Sequence, residues 1–153
     1  MLSLSNESAQ QVPVKIHVKT MIYNGKAKES IEWIGIGQYL EKETSKYIKY
    51  DEIIEEGTIK TIVKISEKEG LILRSGAVKM RLPFLMNKKK IGSYESPYGV
   101  FQLVTDTKRL ELELERQQKT AGTLDILYDL KMQGSNNGTY HMTISFKEEQ
   151  EEV

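Results

Sequence analysis

The hydrophobic pattern of this chain has a period of two. In Arg109-Leu110-Glu111-Leu112-Glu113-Leu114-Glu115 apolar and charged residues alternate without exception. On a helix, at about 100° per residue, the three leucines would scatter around the axis; on a strand they form one row. Leu and Glu are good helix formers, but period outweighs propensity here. Val14, Ile16, Val18, Thr20 and Ile22 alternate with Lys15, His17, Lys19 and Met21, a half-buried strand that ends at the turn Asn24-Gly25. Residues 33–40 predict a second strand, whose Gly35 and Gly37 signal a bulge or sharp coiling, and residues 47–50 a third. Ile59, Thr61, Val63 and Ile65 face inward on a fourth, and Glu69-Gly70 reads as the turn into Leu71-Ile72-Leu73-Arg74. Ser75-Gly76 separates that strand from residues 78–82, which Pro83 closes because proline cannot donate to a ladder.

Lys88-Lys89-Lys90 reads as a loop tip, and residues 100–107 and 109–115 as two strands close enough in sequence to pair. After the turn signal Thr120-Ala121-Gly122, Leu124, Ile126, Tyr128, Leu130 and Met132 make an inward row opposite Asp125, Asp129 and Lys131. Gly134-Ser135-Asn136-Asn137-Gly138 is a hairpin loop, and Tyr140, Met142, Ile144 and Phe146 complete the last strand. No segment has a convincing helical pattern. About nine or ten short strands with tight turns and one apolar face each predict an all-β, antiparallel barrel, since closure removes exposed strand edges. The 153 residues suit one domain, here 12–147, between an N-terminal segment 1–11 and an acidic tail 148–153 that are both expected to be disordered.

Composition narrows the function classes more than it selects one. Lys plus Arg equals Asp plus Glu at 22 each, so charge offers no case for nucleic acid or a membrane surface. The absence of cysteine removes disulfides, thiolate nucleophiles and thiolate-bound metals, and suits a reducing compartment. The first residues carry no basic region followed by a long apolar run, so the expectation is a soluble cytoplasmic protein.

The runs Tyr47-Ile48-Lys49-Tyr50-Asp51-Glu52, Lys60-Thr61-Ile62-Val63-Lys64-Ile65 and Leu73-Arg74-Ser75-Gly76-Ala77-Val78-Lys79-Met80 resemble the uncharacterised YwiB-like proteins of Gram-positive bacteria. Tyr94, Tyr98-Gly99 and Ile126-Leu127-Tyr128-Asp129-Leu130 extend the resemblance, which covers about 14–146. It implies a calycin-like (lipocalin-type) barrel of about 8–10 strands, a class that often holds a small ligand. A fold analogy does not by itself assign a function.

Eight tyrosines against three phenylalanines is an unusual balance. Phenol hydroxyls in a mostly apolar pocket would fix a partly polar ligand, and Tyr128 and Tyr140, on inward rows, are the better candidates, with Tyr47 and Tyr98 behind them. Tyrosines also pack on sheets with wet hydroxyls, and that plainer reading weighs more. Arg74, Lys79 and Arg81 cluster along one hairpin, with Glu52 and Glu95 in segments that could adjoin it. An arginine in a barrel mouth could clamp a carboxylate or phosphate, whereas an outward one would be a solvated charge or half of an ion pair. Leu71 and Leu73 leave Arg74 on the opposite face, and the alternation does not say which face is inside. Trp33 reads as a barrel plug or core anchor.

His17 and His141 fall opposite the apolar rows, which argues against haem ligation inside a barrel; as cross-strand neighbours they would hold a metal only weakly. The sequence contains no nucleophile elbow, phosphate loop or dinucleotide fingerprint, so no catalytic residue, metal site or cofactor is expected. The expectation is non-catalytic binding of a small, partly apolar molecule. The alternative is an interaction or scaffold module using a strand edge or surface patch, which leaves a homodimer open.

Overall fold

Ten strands carry the alternation into three dimensions. The computed structural model describes residues 10–115 and 119–149, and within them the strands are β1 (Val12–Asn24), β2 (Ala27–Lys42), β3 (Ser45–Ile54), β4 (Gly57–Ser66) and β5 (Glu69–Gly76). They continue as β6 (Lys79–Leu85), β7 (Lys89–Ser96), β8 (Gly99–Glu115), β9 (Ala121–Met132) and β10 (Ser135–Glu148). Each strand pairs antiparallel with its neighbours in sequence, and β10 returns to β1, so the sheet closes on itself as an up-and-down barrel. Among the described residues there is no helix, hence none long and apolar enough to cross a membrane. The turns suit the meander: Gln133 (φ 52°) and Gly134 (φ 81°) join β9 to β10 through a two-residue link that needs positive φ at both positions.

The inward rows are those that alternation predicts on β1, β4, β9 and β10. Val14, Ile16, Val63, Leu124, Ile126 and Ile144 are completely buried, while Lys15, Lys60 and Lys64 face water. Stacked rings of Tyr39 and Phe146, 4.7 Å apart, and the edge contact of Phe84 with Tyr128 fill the half of the lumen where β1 begins and β10 ends.

Residues 100–107 and 109–115 are not two paired strands but one strand, β8. Thr107 pairs with Tyr128 and Arg109 with Leu127, so Lys108 is the extra residue of a bulge. Leu103, Thr105 and Thr107 point inward before it, and Leu110, Leu112 and Leu114 after it. The change of parity that reads in sequence as a new strand is absorbed by one bulged residue.

Several other boundaries differ from expectation. Residues 67 and 68 make the turn between β4 and β5, because Ser66 pairs with Glu69; Glu69 and Gly70 already lie in β5, with Gly70 facing in against Ile65 and Phe84. Pro83 lies within β6 instead of ending it. Its carbonyl accepts the Thr105 hydroxyl at 2.5 Å on the side away from β5, and the β6–β7 ladder stops at Arg81, so no donor is required there. Lys89 and Lys90 open β7, leaving residues 87 and 88 as the turn. The strand β7 has only Ile91 as a large aliphatic and escapes a periodicity search. Ala121 and Gly122 belong to β9, and Ser135 to Gly138 belong to β10, which has a bulge of its own at Asn137.

The β1–β2 ladder runs unbroken past Gly35 and Gly37, so no bulge sits there. A Cβ on Gly37 would stand 2.2 Å from the Lys49 carbonyl oxygen, which is the close backbone approach that strand glycines permit. The expected disorder of 1–9 and 150–153 lies outside the described residues. Within them β10 extends to Glu148, whose N–H donates to the Thr120 carbonyl (2.7 Å), and the Glu149 N–H donates to the Pro13 carbonyl (2.9 Å).

Candidate functional site

The other half of the lumen is open. A cavity of about 270 Å³ lies between the late residues of β1 and β9 and the early residues of β10, against the adjoining parts of β2 to β8. Val18, Leu82, Leu103 and Leu130 form its apolar floor, and Ile31, 55% exposed, stands at its rim. The volume is that of roughly nine water molecules and lies just under the usual range of about 300–1,000 Å³ for ligand pockets.

Cross-strand register assembles the polar wall. Thr61 on β4 lies opposite Tyr50 on β3 and Arg74 on β5, Arg74 lies opposite Met80, and Met80 opposite Tyr94. One level of the barrel wall therefore reads Tyr50, Thr61, Arg74, Met80, Tyr94, all of them lining the cavity. Thr61 is the small member between two large ones, and the space above it lets Arg74 Nη2 donate to Glu52 Oε1 at 2.8 Å across β4. Arg74 faces in because the inward row of β5 is Gly70, Ile72, Arg74, with Leu73 outside. Among the described residues, Glu52 and Arg74 are the only charged side chains on the cavity wall.

Aromatic rings complete the site. Trp33 stacks on Tyr50 with centroids 4.6 Å apart, and its ring lies over Gly35, where a Cβ would come within 2.4 Å of it. Tyr128 stacks on Tyr140 at 5.3 Å, and Asn137 Nδ2, brought in by the β10 bulge, donates to the Tyr140 hydroxyl at 3.0 Å. Burial pushes the Tyr50 phenol up to about 12; Glu52 reinforces the shift, while Arg74 and Thr61 oppose it. The Thr61 hydroxyl lies near enough to the Tyr50 phenol to lower it as a hydrogen-bonding neighbour, yet its buried Oγ1 completes no well-formed hydrogen bond with any partner. Tyr128 is raised well beyond the tyrosine range by burial and then by Tyr140, and Tyr140 is raised by its own burial, partly offset by Asn137.

Of the residues singled out from sequence, the fold brings Tyr128, Tyr140 and Arg74 to one cavity. Tyr47 lies elsewhere: its neighbour Ile48 takes the inward position, and the Tyr47 ring sits 5.9 Å from Lys64 Nζ outside. Tyr98 is in the β7–β8 turn and 92% exposed. Glu52 meets Arg74 as the hairpin suggested, whereas Glu95 pairs with Lys79 on the outer face. Trp33 lines the cavity as well as anchoring it. Sequence alone does not single out Thr61 or Asn137: the inward parity of Thr61 is visible, but nothing marks Asn137 as other than a loop residue.

The two histidines are not neighbours, since His17 pairs with Ser145 and His141 with Met21. His17 Nε2 contacts Glu32 at 2.5 Å, and Asp125 on the outer face joins His141 to Arg109. No group of three or more metal-ligating side chains occurs among the described residues.

Fold and site together define a small, closed, antiparallel barrel with one packed end and one open, aromatic-lined end. The family model of Domain of unknown function (DUF1934) matches residues 16–144. The chain is 35% identical over 138 residues to the uncharacterised beta-barrel protein YwiB of Bacillus subtilis, covering 90% of this chain and 95% of that protein. The crystal structure of the Bacillus subtilis YwiB protein superimposes with a TM-score of 0.81 at 32% identity, covering 95% of this chain and 98% of that one. The chain therefore belongs to the DUF1934 family and shares the YwiB barrel.

Proposed function

We propose that this barrel is a non-catalytic, cytoplasmic binder of a small, partly apolar molecule held in the open half of its lumen. The observation that carries the reading is the cavity itself, an apolar floor beneath a polar wall that includes a buried hydroxyl, Thr61 Oγ1, with no hydrogen-bond partner. A buried polar atom left unpaired costs about 1–3 kcal/mol, and a bound molecule that supplies the partner recovers part of it. Tyr128, Tyr140 and Arg74 are the contacts proposed with it. The lack of cysteine and of charge excess supports the compartment and counts against nucleic acid and membranes as partners. Native mass spectrometry of protein purified from its own host tests the reading. A co-purifying small mass that disappears in Met142→Trp, which fills the cavity from β10, is the expected result; an adduct that survives Met142→Trp, or no adduct, counts against it.

A second reading rests on β2. This strand pairs with β1 from Ala27 to Tyr39 but with β3 only from Gly37 to Lys42, and on the outer face of the stretch that lacks a β3 partner stand Ile34 (60% exposed) and Ile36 (53%). An apolar pair beside a free strand edge suits pairing with a second copy of the chain. Light scattering that gives a dimer, converted to monomer by Ile34→Lys, would support it.

A further inference from the structure

We propose that the molecule held in the lumen is a zwitterion of amino-acid type, with its charged end at the Glu52–Arg74 pair and an apolar or aromatic side chain on the floor. The inference rests on the lumen-binding reading and specifies the chemistry of its ligand. Its basis is that, among the described residues, the cavity wall holds one anion and one cation and that they touch, Arg74 Nη2 lying 2.8 Å from Glu52 Oε1.

A purely structural ion pair is poorly placed here. Glu52 follows Tyr50 and Arg74 follows Ile72 on the inward rows of their strands, and both are about three-quarters withdrawn from solvent, where desolvation offsets much of the Coulombic gain. What the placement supplies is unused hydrogen-bonding capacity of both signs at one spot. Arginine has five N–H donors and a carboxylate about four acceptor positions, and the contact between them occupies one of each. A ligand with only a carboxylate would gain Arg74 but sit against Glu52; one with only an ammonium would gain Glu52 but sit against Arg74. A ligand bearing both, one or two bonds apart, meets each with its opposite and leaves the site neutral.

The rest of the cavity agrees in shape and polarity. The charged pair lies at the level of Thr61, whose hydroxyl supplies one more polar contact, and below it Val18, Leu82 and Leu103 offer only carbon surface. A volume of about 270 Å³ suits a single monomer, with the Trp33–Tyr50 stack as one wall.

The experiment uses Trp33, the single tryptophan of the chain, as the reporter on the cavity wall. Four probes with the same ring are titrated: phenylalanine, 3-phenylpropionate, phenethylamine and the neutral 3-phenylpropanamide. The expected result is that phenylalanine binds at least tenfold more tightly than each of the others. Glu52→Gln is expected to weaken phenylalanine and strengthen 3-phenylpropionate, and Arg74→Gln to weaken phenylalanine and strengthen phenethylamine; loss of a merely structural bridge would not invert preference by charge. If a single variant fails to fold, Glu52→Gln/Arg74→Gln, which leaves no unpaired charge, should level the four affinities. Equal binding of all four probes by the unmodified protein, or tightest binding of the amide or a singly charged probe, would overturn the zwitterion and leave lumen binding standing. Binding of none of the four would overturn the zwitterion too, and if no mass co-purifies with the protein, lumen binding falls with it.

Discussion

Tyr50 faces Thr61 across the β3–β4 ladder, close to an ion pair and under a tryptophan ring, and its phenol is pushed from the ordinary 10 up to about 12. The unfolded chain loses this proton near pH 10 and the folded chain near pH 12, so between those values the unfolded state binds fewer protons and stability falls as pH rises. The contribution is intact below pH 10. Denaturant unfolding measured from pH 9 to 12 should show this loss, and Tyr50→Phe should flatten it by up to about 3 kcal/mol at the alkaline end. An unchanged slope in Tyr50→Phe would show that the phenol is not held neutral by the fold. Gly35 makes a second prediction at this scale. Its missing Cβ is the space occupied by the Trp33 ring, which two strand residues on one face could not otherwise share. Gly35→Ala should lift the ring off the strand, cost about 1–3 kcal/mol, and change the near-ultraviolet circular dichroism of Trp33. A native-like signal would mean that the ring can sit elsewhere.

The strand β8 shows at the level of one element what alternation conveys and what it does not. Its two rows, Leu103-Thr105-Thr107 and Leu110-Leu112-Leu114, are plain in sequence, but the one-residue phase change between them is equally consistent with a turn. The ladder to β9 decides it, and no local signal at Lys108 announces a bulge. Deleting Lys108 removes the unpaired residue and leaves Thr107, Arg109 and Leu110 against Tyr128, Leu127 and Ile126, with every face preserved. That variant should unfold cooperatively with a modest fall in midpoint. Deleting Glu111 instead shifts Leu112 and Leu114 to the outer face and Glu113 and Glu115 to the inner one, and should abolish cooperative thermal unfolding. Equal damage from the two deletions would contradict the bulge. The same limit applied to Arg74: Leu71 and Leu73 fix that it lies opposite them, but a row of glycine, isoleucine and arginine does not identify itself as the inner one. Only its register against Val63 and Thr61 on β4 does. The inward positions of Tyr128 and Tyr140 are legible because both sit in long apolar rows; the positions of Tyr47 and Tyr98 outside the lumen are not, because residue type says nothing of parity or of place in a turn.

At the scale of the whole barrel, the ladders are very unequal. The β1–β2 ladder joins Val12–Tyr39 through Asn24–Ala27 without interruption, and β9 is paired along nearly its full length on both sides, whereas β6 and β7 share only the three pairs 79–95, 80–94 and 81–93. A molecule reaches a lumen packed at its other end either over the rim at Ile31 or where the sheet parts locally, and the short ladders cost least to break. Two of them border the cavity: the three β6–β7 pairs hold Met80 and Tyr94, and the β2–β3 ladder ends at Gly37 and Tyr50, leaving the Trp33–Tyr50 stack to bridge the strands beyond. Amide hydrogen exchange should therefore be fastest in residues 79–81 and 93–95 and along 28–36 on the side away from β1. It should be slowest in β9 and the adjoining parts of β1, β8 and β10. Occupation of the lumen should slow the first group selectively, because the ligand contacts side chains on both flanks of these openings, while β9 exchange, already limited by global unfolding, follows only the overall gain in stability. Uniform protection across all ten strands would mean that the barrel opens only as a whole, and entry would then be confined to the rim at Ile31.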